Sequence, residues 1–184
     1  TNTKDEYFDD LYNVTNYRTD PELSETLITN SFSTLVWLRS KGVRFLPLYW
    51  RQSAVVNGRR VFFGRVPFEV SGAGAGLVQF LDKAAHNAGI KIFYETRGTA
   101  LIYDGERVSG VRAQQKGKAL ALKAGSVVLA CGGFEANAEM RSRYLGPGWD
   151  LVKVRGTRFN MGDGIKRALD IGAAPYGNWS GCHA

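Results

Sequence analysis

Ser126-Val127-Val128-Leu129-Ala130 is a run of small and β-branched apolar residues without alternation. That pattern predicts a strand buried on both faces, as in the parallel sheet of an α/β protein. The run breaks at Cys131-Gly132-Gly133. Two glycines remove every Cβ at a turn and let main-chain N–H groups come close to a ligand. A helix is expected over 135–145, stopped by Gly146-Pro147. In open α/β sheets, ligands bind at strand carboxyl ends before such a turn. A tight strand-to-helix turn with nothing bound is the alternative reading.

The rest of the chain alternates between the two periods. Tyr7, Phe8, Leu11 and Tyr12 repeat at helical spacing, and Pro21 opens a second helix carrying Leu23, Leu27, Leu35 and Leu38, with Gly42 as its stop. Residues 43–50 read as extended, interrupted by Pro47. Asn57-Gly58 between apolar runs predicts a hairpin over 54–63. A glycine run, Gly72-Ala73-Gly74-Ala75-Gly76, leads into a helix over 77–88 that Gly89 ends. Its spacing is GxGxG, with Leu77 where the third glycine of a dinucleotide fingerprint belongs, so that fingerprint is not assigned. A glycine-lined helix N-terminus can still face a phosphate. His86 reads as a surface residue of this helix. Residues 90–94 read as a strand, and 99–103, 107–113 and 119–124 as a three-stranded antiparallel meander. Near the end, Asn160-Met161-Gly162-Asp163-Gly164 precedes a short helix over 165–171, with Asp163 placed to cap it or to meet a ligand.

Composition narrows the class. The chain has 184 residues, 44% hydrophobic and 22% charged, ordinary values for a globular domain. No apolar run reaches the ~18 residues a membrane span requires. Cys131 and Cys182 fit neither a metal site nor a disulfide framework, which points to a reducing, cytoplasmic setting. The net charge of +7 is scattered rather than gathered into a nucleic-acid motif. Basic residues near Arg155 suit an anionic cofactor or substrate.

Three features taken together resemble one family. They are the meander running into Ser126-Val-Val-Leu-Ala-Cys-Gly-Gly-Phe134, the Asn-Met-Gly-Asp-Gly-Ile loop, and a histidine closing Ala174-Pro-Tyr-Gly-Asn-Trp-Ser-Gly-Cys-His183. This is similar to the FAD-binding fumarate reductase/succinate dehydrogenase flavoprotein superfamily, and within it to the tricarballylate dehydrogenase branch. The resemblance implies an α/β fold: an FAD/NAD(P)-binding, Rossmann-like domain of the glutathione-reductase type with the meander inserted. Residues 1–178 would belong to that domain and 179–184 would begin a capping, substrate domain. Ala130, Cys131, Gly132 and Gly133 would pack on FAD, with Cys131 replacing the family's usual threonine. Gly98, at the start of the meander, would meet the adenine, and Asp163 would touch the cofactor. His183 would bind a carboxylate of a di- or tricarboxylate substrate, although Ala184 stands where the family has proline. The glycine fingerprint and the arginines of the reaction would lie outside these residues, making the chain an internal piece that turns over little substrate alone. An electron acceptor would complete the cycle. Fumarate reductase or 3-ketosteroid dehydrogenase chemistry is the alternative within the class, and a basic nucleic-acid-binding module the alternative outside it.

Overall fold

Thr3 opens the first helix with a capping box. Its hydroxyl accepts from the Glu6 N–H at 3.2 Å, while Glu6 Oε2 accepts from the Thr3 N–H at 2.8 Å. The computed structural model describes residues 3–48, 53–62 and 68–181. These fall into two compact units divided between Ile92 and Phe93.

In the first unit, α1 (Lys4–Val14) packs on α2 (Pro21–Ser40). Asp20 caps α2 by accepting from the Leu23 N–H at 3.0 Å, and Pro21 holds the first helical position. The helix ends at Lys41, followed by Gly42 in the left-handed region at φ +94°. The buried residues of α2 are Ser24 and Ile28, whereas Leu23 and Leu27 of the expected inner stripe are exposed. Apolar residues surround this helix, so spacing alone could not select its inner side.

The extended segment after Gly42 contributes only β1 (Phe45–Pro47), antiparallel to β4 (Phe68–Val70); residues 49 and 50 lie outside the described set. Between them β2 (Ser53–Val56) and β3 (Arg59–Phe62) form the hairpin, with Asn57 at φ +50° and Gly58 at φ +73° as a type I′ turn requires. The next helix, α3 (Ala73–Asn87), begins four residues earlier than expected. Gly76 is buried in its first turns, where an added Cβ would collide with the Ser71 carbonyl oxygen. Local chain closure therefore accounts for a glycine at 76. His86 is exposed and contacts the Asp82 carbonyl at 2.8 Å.

In the second unit, β5 (Thr96–Tyr103), β6 (Val108–Gln115) and β7 (Lys118–Lys123) pair antiparallel in chain order, with Ala113 buried at the centre. At the first bend, Asp104 accepts from the N–H groups of Glu106 at 2.9 Å and Arg107 at 2.8 Å. The Arg107 bond, then the Glu106 bond, holds the Asp104 carboxyl below the usual carboxylate value of 3.8. A depressed folded-state pKa contributes stability above 3.8 that is lost as pH falls through the lowered value. In an NMR titration, the amide resonances of Glu106 and Arg107 are therefore expected to shift together, with a midpoint below 3.8. A midpoint at or above that value would show the bonds to be absent in solution.

Two expectations are corrected here. Residues 126–131 form no strand, and Val128, placed in a core by the sequence, is 88% exposed. Residues 90–94 likewise form no strand, and Ile90 and Tyr94 are exposed. The physical reason is shared. A parallel strand needs hydrogen-bonding neighbours, and no described strand pairs with either segment. All strand pairs among the described residues are antiparallel.

Beyond the glycine turn come α4 (Ala138–Leu145), a 3₁₀ turn (Trp149–Leu151) and α5 (Asp163–Asp170). Helix α4 starts three residues later than expected, because Asn137 caps it by accepting from the Met140 N–H at 3.1 Å. Phe134, Tyr144 and Trp179 cluster around its end, with ring centroids 4.8–6.2 Å apart; Phe134 and Trp179 stack, and Tyr144 meets both at a tilt. No helix among the described residues is long and apolar enough to cross a membrane.

Candidate functional site

The glycine turn and the Asn160–Gly164 loop lock into each other through their backbones. The Gly162 N–H donates to the Gly133 carbonyl at 3.0 Å, and the Ala136 N–H to the Asn160 carbonyl at 3.0 Å. Asn137 serves both sides: its Oδ1 caps α4 while its Nδ2 donates to the Met161 carbonyl at 3.0 Å. Asn160 Nδ2 donates to Glu135 Oε1. Such interlocking fixes two segments some 30 residues apart.

Three glycines make this approach possible. An added Cβ at Gly132 (φ +72°) would lie 2.8 Å from the Asn160 side-chain amide. At Gly164 it would lie 2.9 Å from the Cys131 Cβ and 3.0 Å from its Sγ. At Gly162 (φ +79°) it would run into Met140 Sδ and come 3.1 Å from the Phe134 Cβ. All three therefore have a packing reason to be glycine, and the Asn160 side chain occupies the space beside Gly132. What faces outward is the main chain just before. Ala130, Cys131 and Gly132 are exposed, and their N–H groups have no intramolecular hydrogen-bond partner among the described residues.

Asp163 does not cap α5. The cap position falls on Gly162, whose left-handed backbone carries no side chain to bond back. Asp163 is instead the first helical residue, where its charge meets the positive end of the helix dipole. Both of its carboxylate oxygens accept from Arg97 Nη2, at 3.0 and 3.3 Å. Arg97 stands on β5 directly before Gly98, so this pair brings the start of the antiparallel sheet to the Gly-Asp-Gly loop. Gly98 itself pairs with Ala113 and is exposed, and an added Cβ would lie an ordinary 3.7 Å from a Val111 methyl. The pair borders an open cleft of about 1180 Å³ among β5, α4, the 158–163 loop and α5. Four basic and four acidic side chains line it, so it carries no net formal charge. His183 and Cys182 lie outside the described residues.

The structure thus brings Cys131, Gly132, Gly133 and Asp163 together in one site, with Ala130 leading into it and Gly98 one residue from the link. Sequence reasoning missed Arg97, Asn137 and the buried Arg141. Asn137 carried a readable signal, an asparagine just before a helical run. Arg97 carried none, because its partner is 66 residues away. Arg141 is 7% exposed and donates to four main-chain carbonyls: Glu135 at 2.5 Å, Trp149 at 2.8 Å, Asp150 at 3.0 Å and Val152 at 3.2 Å. It ties the glycine turn to the 3₁₀ turn beyond α4. Among the described residues, no group of three or more His, Cys, Asp or Glu is placed to hold a metal.

Comparison with known proteins gives this geometry a context. The chain is 31% identical over 162 residues to an NADH:acrylate oxidoreductase of Vibrio harveyi, covering 85% of this chain and 16% of that protein. It is 31% identical over 129 residues to a 3-oxosteroid 1-dehydrogenase of Mycobacterium tuberculosis, covering 67% of this chain and 23% of the relative. The chain therefore spans about a sixth to a quarter of the length of these curated relatives. In fold it is similar to the open conformation of a flavocytochrome c3 fumarate reductase, with a TM-score of 0.79 at 24% identity, covering 95% of this chain and 30% of that one. The FAD binding domain family matches residues 1–180. The chain belongs to that FAD binding domain family, within the fumarate reductase/succinate dehydrogenase flavoprotein superfamily, and FAD is its cofactor.

Proposed function

We propose that this chain is the part of a flavoprotein oxidoreductase that grips FAD, in an enzyme acting on a carbon–carbon bond beside a carboxylate. The observation that carries the reading is the interlocked pair of loops. It leaves the N–H groups of Ala130, Cys131 and Gly132 without a partner among the described residues and holds the Asp163 carboxylate at the edge of a cleft. FAD offers a diphosphate and sugar hydroxyls, and this donor set fits it: main-chain amides for anionic oxygens, a carboxylate for hydroxyls. Bound there, FAD would supply the hydride chemistry. The protein's own residues bind and orient. The glycine turn offers donors, Asp163 an acceptor, and the Asn137–Met161 bond keeps the two loops in register.

FAD held there would supply a two-electron acceptor for turning a substrate carbon–carbon single bond into a double bond: a base would take the proton, FAD would take the hydride, and a separate acceptor would later take the two electrons. The substrate proposed is a polycarboxylate, tricarballylate oxidised to aconitate, with His183 contacting one carboxylate. The resemblance of the Gly-Gly and Gly-Asp-Gly segments supports a flavoprotein of this superfamily, and relatives named for acrylate and fumarate support a substrate that carries a carboxylate. Rossmann-like architecture of the glutathione-reductase type, with the antiparallel sheet inserted, and a capping domain from residue 179 belong to the same proposal.

Anaerobic mixing of the protein, expressed from its complete reading frame and loaded with FAD, tests it. Tricarballylate is expected to bleach the flavin absorbance and a 3-ketosteroid is not. Bleaching by the steroid alone would replace the substrate class, and failure to take up FAD would sink the flavin reading.

A further inference from the structure

Among the described residues, Arg97 is the one side chain that ties the antiparallel sheet to the Asp163 carboxylate, and nothing in the glycine turn or the α5 cap requires it. Its single Nη2 contacts both oxygens, at 3.0 and 3.3 Å. A carboxylate has about four lone-pair positions, so this contact leaves acceptor capacity on each oxygen. The Asp163 side chain is 34% exposed and the Arg97 side chain 68%, and both line the cleft. A pair this exposed adds little to folding stability. Its other effects are specific. It selects one orientation for a carboxylate that has no capping bond of its own, since the cap position of α5 falls on Gly162 and Asp163 is already the first helical residue. It also cancels a negative charge that would otherwise repel an anionic diphosphate approaching the same loop.

We infer that Arg97 is a positioning residue for the cofactor: it orients and neutralises Asp163, so that this carboxylate accepts hydroxyl groups of the dinucleotide without repelling its phosphates. This rests on the flavin reading above. It assigns Arg97 no contact with substrate and no part in the redox step.

The test is FAD titration of the apoprotein from its complete reading frame, followed by flavin fluorescence and visible circular dichroism. Asp163→Asn, Arg97→Met, Arg97→Lys and the Arg97→Met/Asp163→Asn double variant are compared with the parent. Each single loss is expected to weaken FAD binding about tenfold, the scale of one charge-assisted hydrogen bond. The double variant is expected to be no weaker than the worse single one, because the two act as a unit. Arg97→Lys is expected to recover part of the affinity and the parent dichroism, a rescue that a merely structural role would not produce. Melting temperatures of the apo variants should stay near the parent value. If Asp163→Asn weakens binding while Arg97→Met binds like the parent, the role of Arg97 is overturned and the flavin site stands. If the parent itself takes up no FAD, the flavin reading falls and the inference with it.

Discussion

Gly162→Ala is expected to lower the melting temperature by roughly 10 °C and to abolish tight flavin binding. Two costs combine at this position. A left-handed backbone carrying a Cβ costs about 1–2 kcal/mol. Forcing that Cβ into Met140 and Phe134 adds about 1–3 kcal/mol of overpacking. For a chain of this size each kcal/mol moves the midpoint by about 2–4 °C. The functional loss follows from the same geometry, because the Gly162 N–H holds the Gly133 carbonyl and Gly162 sets the start of α5, where Asp163 stands. Gly105→Ala is the control. Gly105 is also left-handed, at φ +106°, but an added Cβ there meets nothing within 4 Å. It should show the backbone cost alone, with flavin binding intact. Equal melting temperatures for the two variants would show that the loops do not interlock as described.

Arg141→Met is expected to destabilise the chain by about 3 kcal/mol. Hydrogen bonds to a charged donor contribute about 1.5–3 kcal/mol each, and four carbonyls lose theirs, though solvent can reach some of them after the change. Arg141→Lys should recover less than half of that loss. A single ammonium cannot reach both Glu135 on one side and Trp149, Asp150 and Val152 on the other with the fan of a guanidinium. Urea unfolding of the three proteins checks this. A Lys variant as stable as the parent would mean that charge alone matters at this site. Because Glu135 is also the partner of Asn160, the Met variant is expected to loosen the loop pair and weaken flavin binding.

These two positions mark where sequence reasoning worked and where it stopped. Gly162 lay inside a motif whose glycines were legible, yet its partners, Met140 and Phe134, were not. Arg141 looked like one of many scattered basic residues. Nothing in a helix of mixed composition announces that one arginine turns inward to carbonyls supplied by a loop after the helix. Asp163 was singled out for the right region and the wrong local role. Its neighbour Gly162 takes the cap position, and the carboxylate is claimed by an arginine from a strand 66 residues earlier.

By itself the sequence determined what local chemistry decides: the Pro21 start of α2, its stop at Gly42 and the Asn57-Gly58 hairpin. Each depends on backbone preferences within a few residues, which residue type alone sets. It also carried the two glycine motifs from which the FAD-binding family could be recognised. Tertiary structure alone decided which side of α2 is buried, which carbonyls Arg141 satisfies, and that the paired glycines let one loop seat on another. It also decided that residues 126–131 find no strand partner among the described residues, because a strand is defined by its neighbours and not by its own apolar run. Those outcomes depend on segments distant along the chain meeting in space, and no local pattern encodes the meeting.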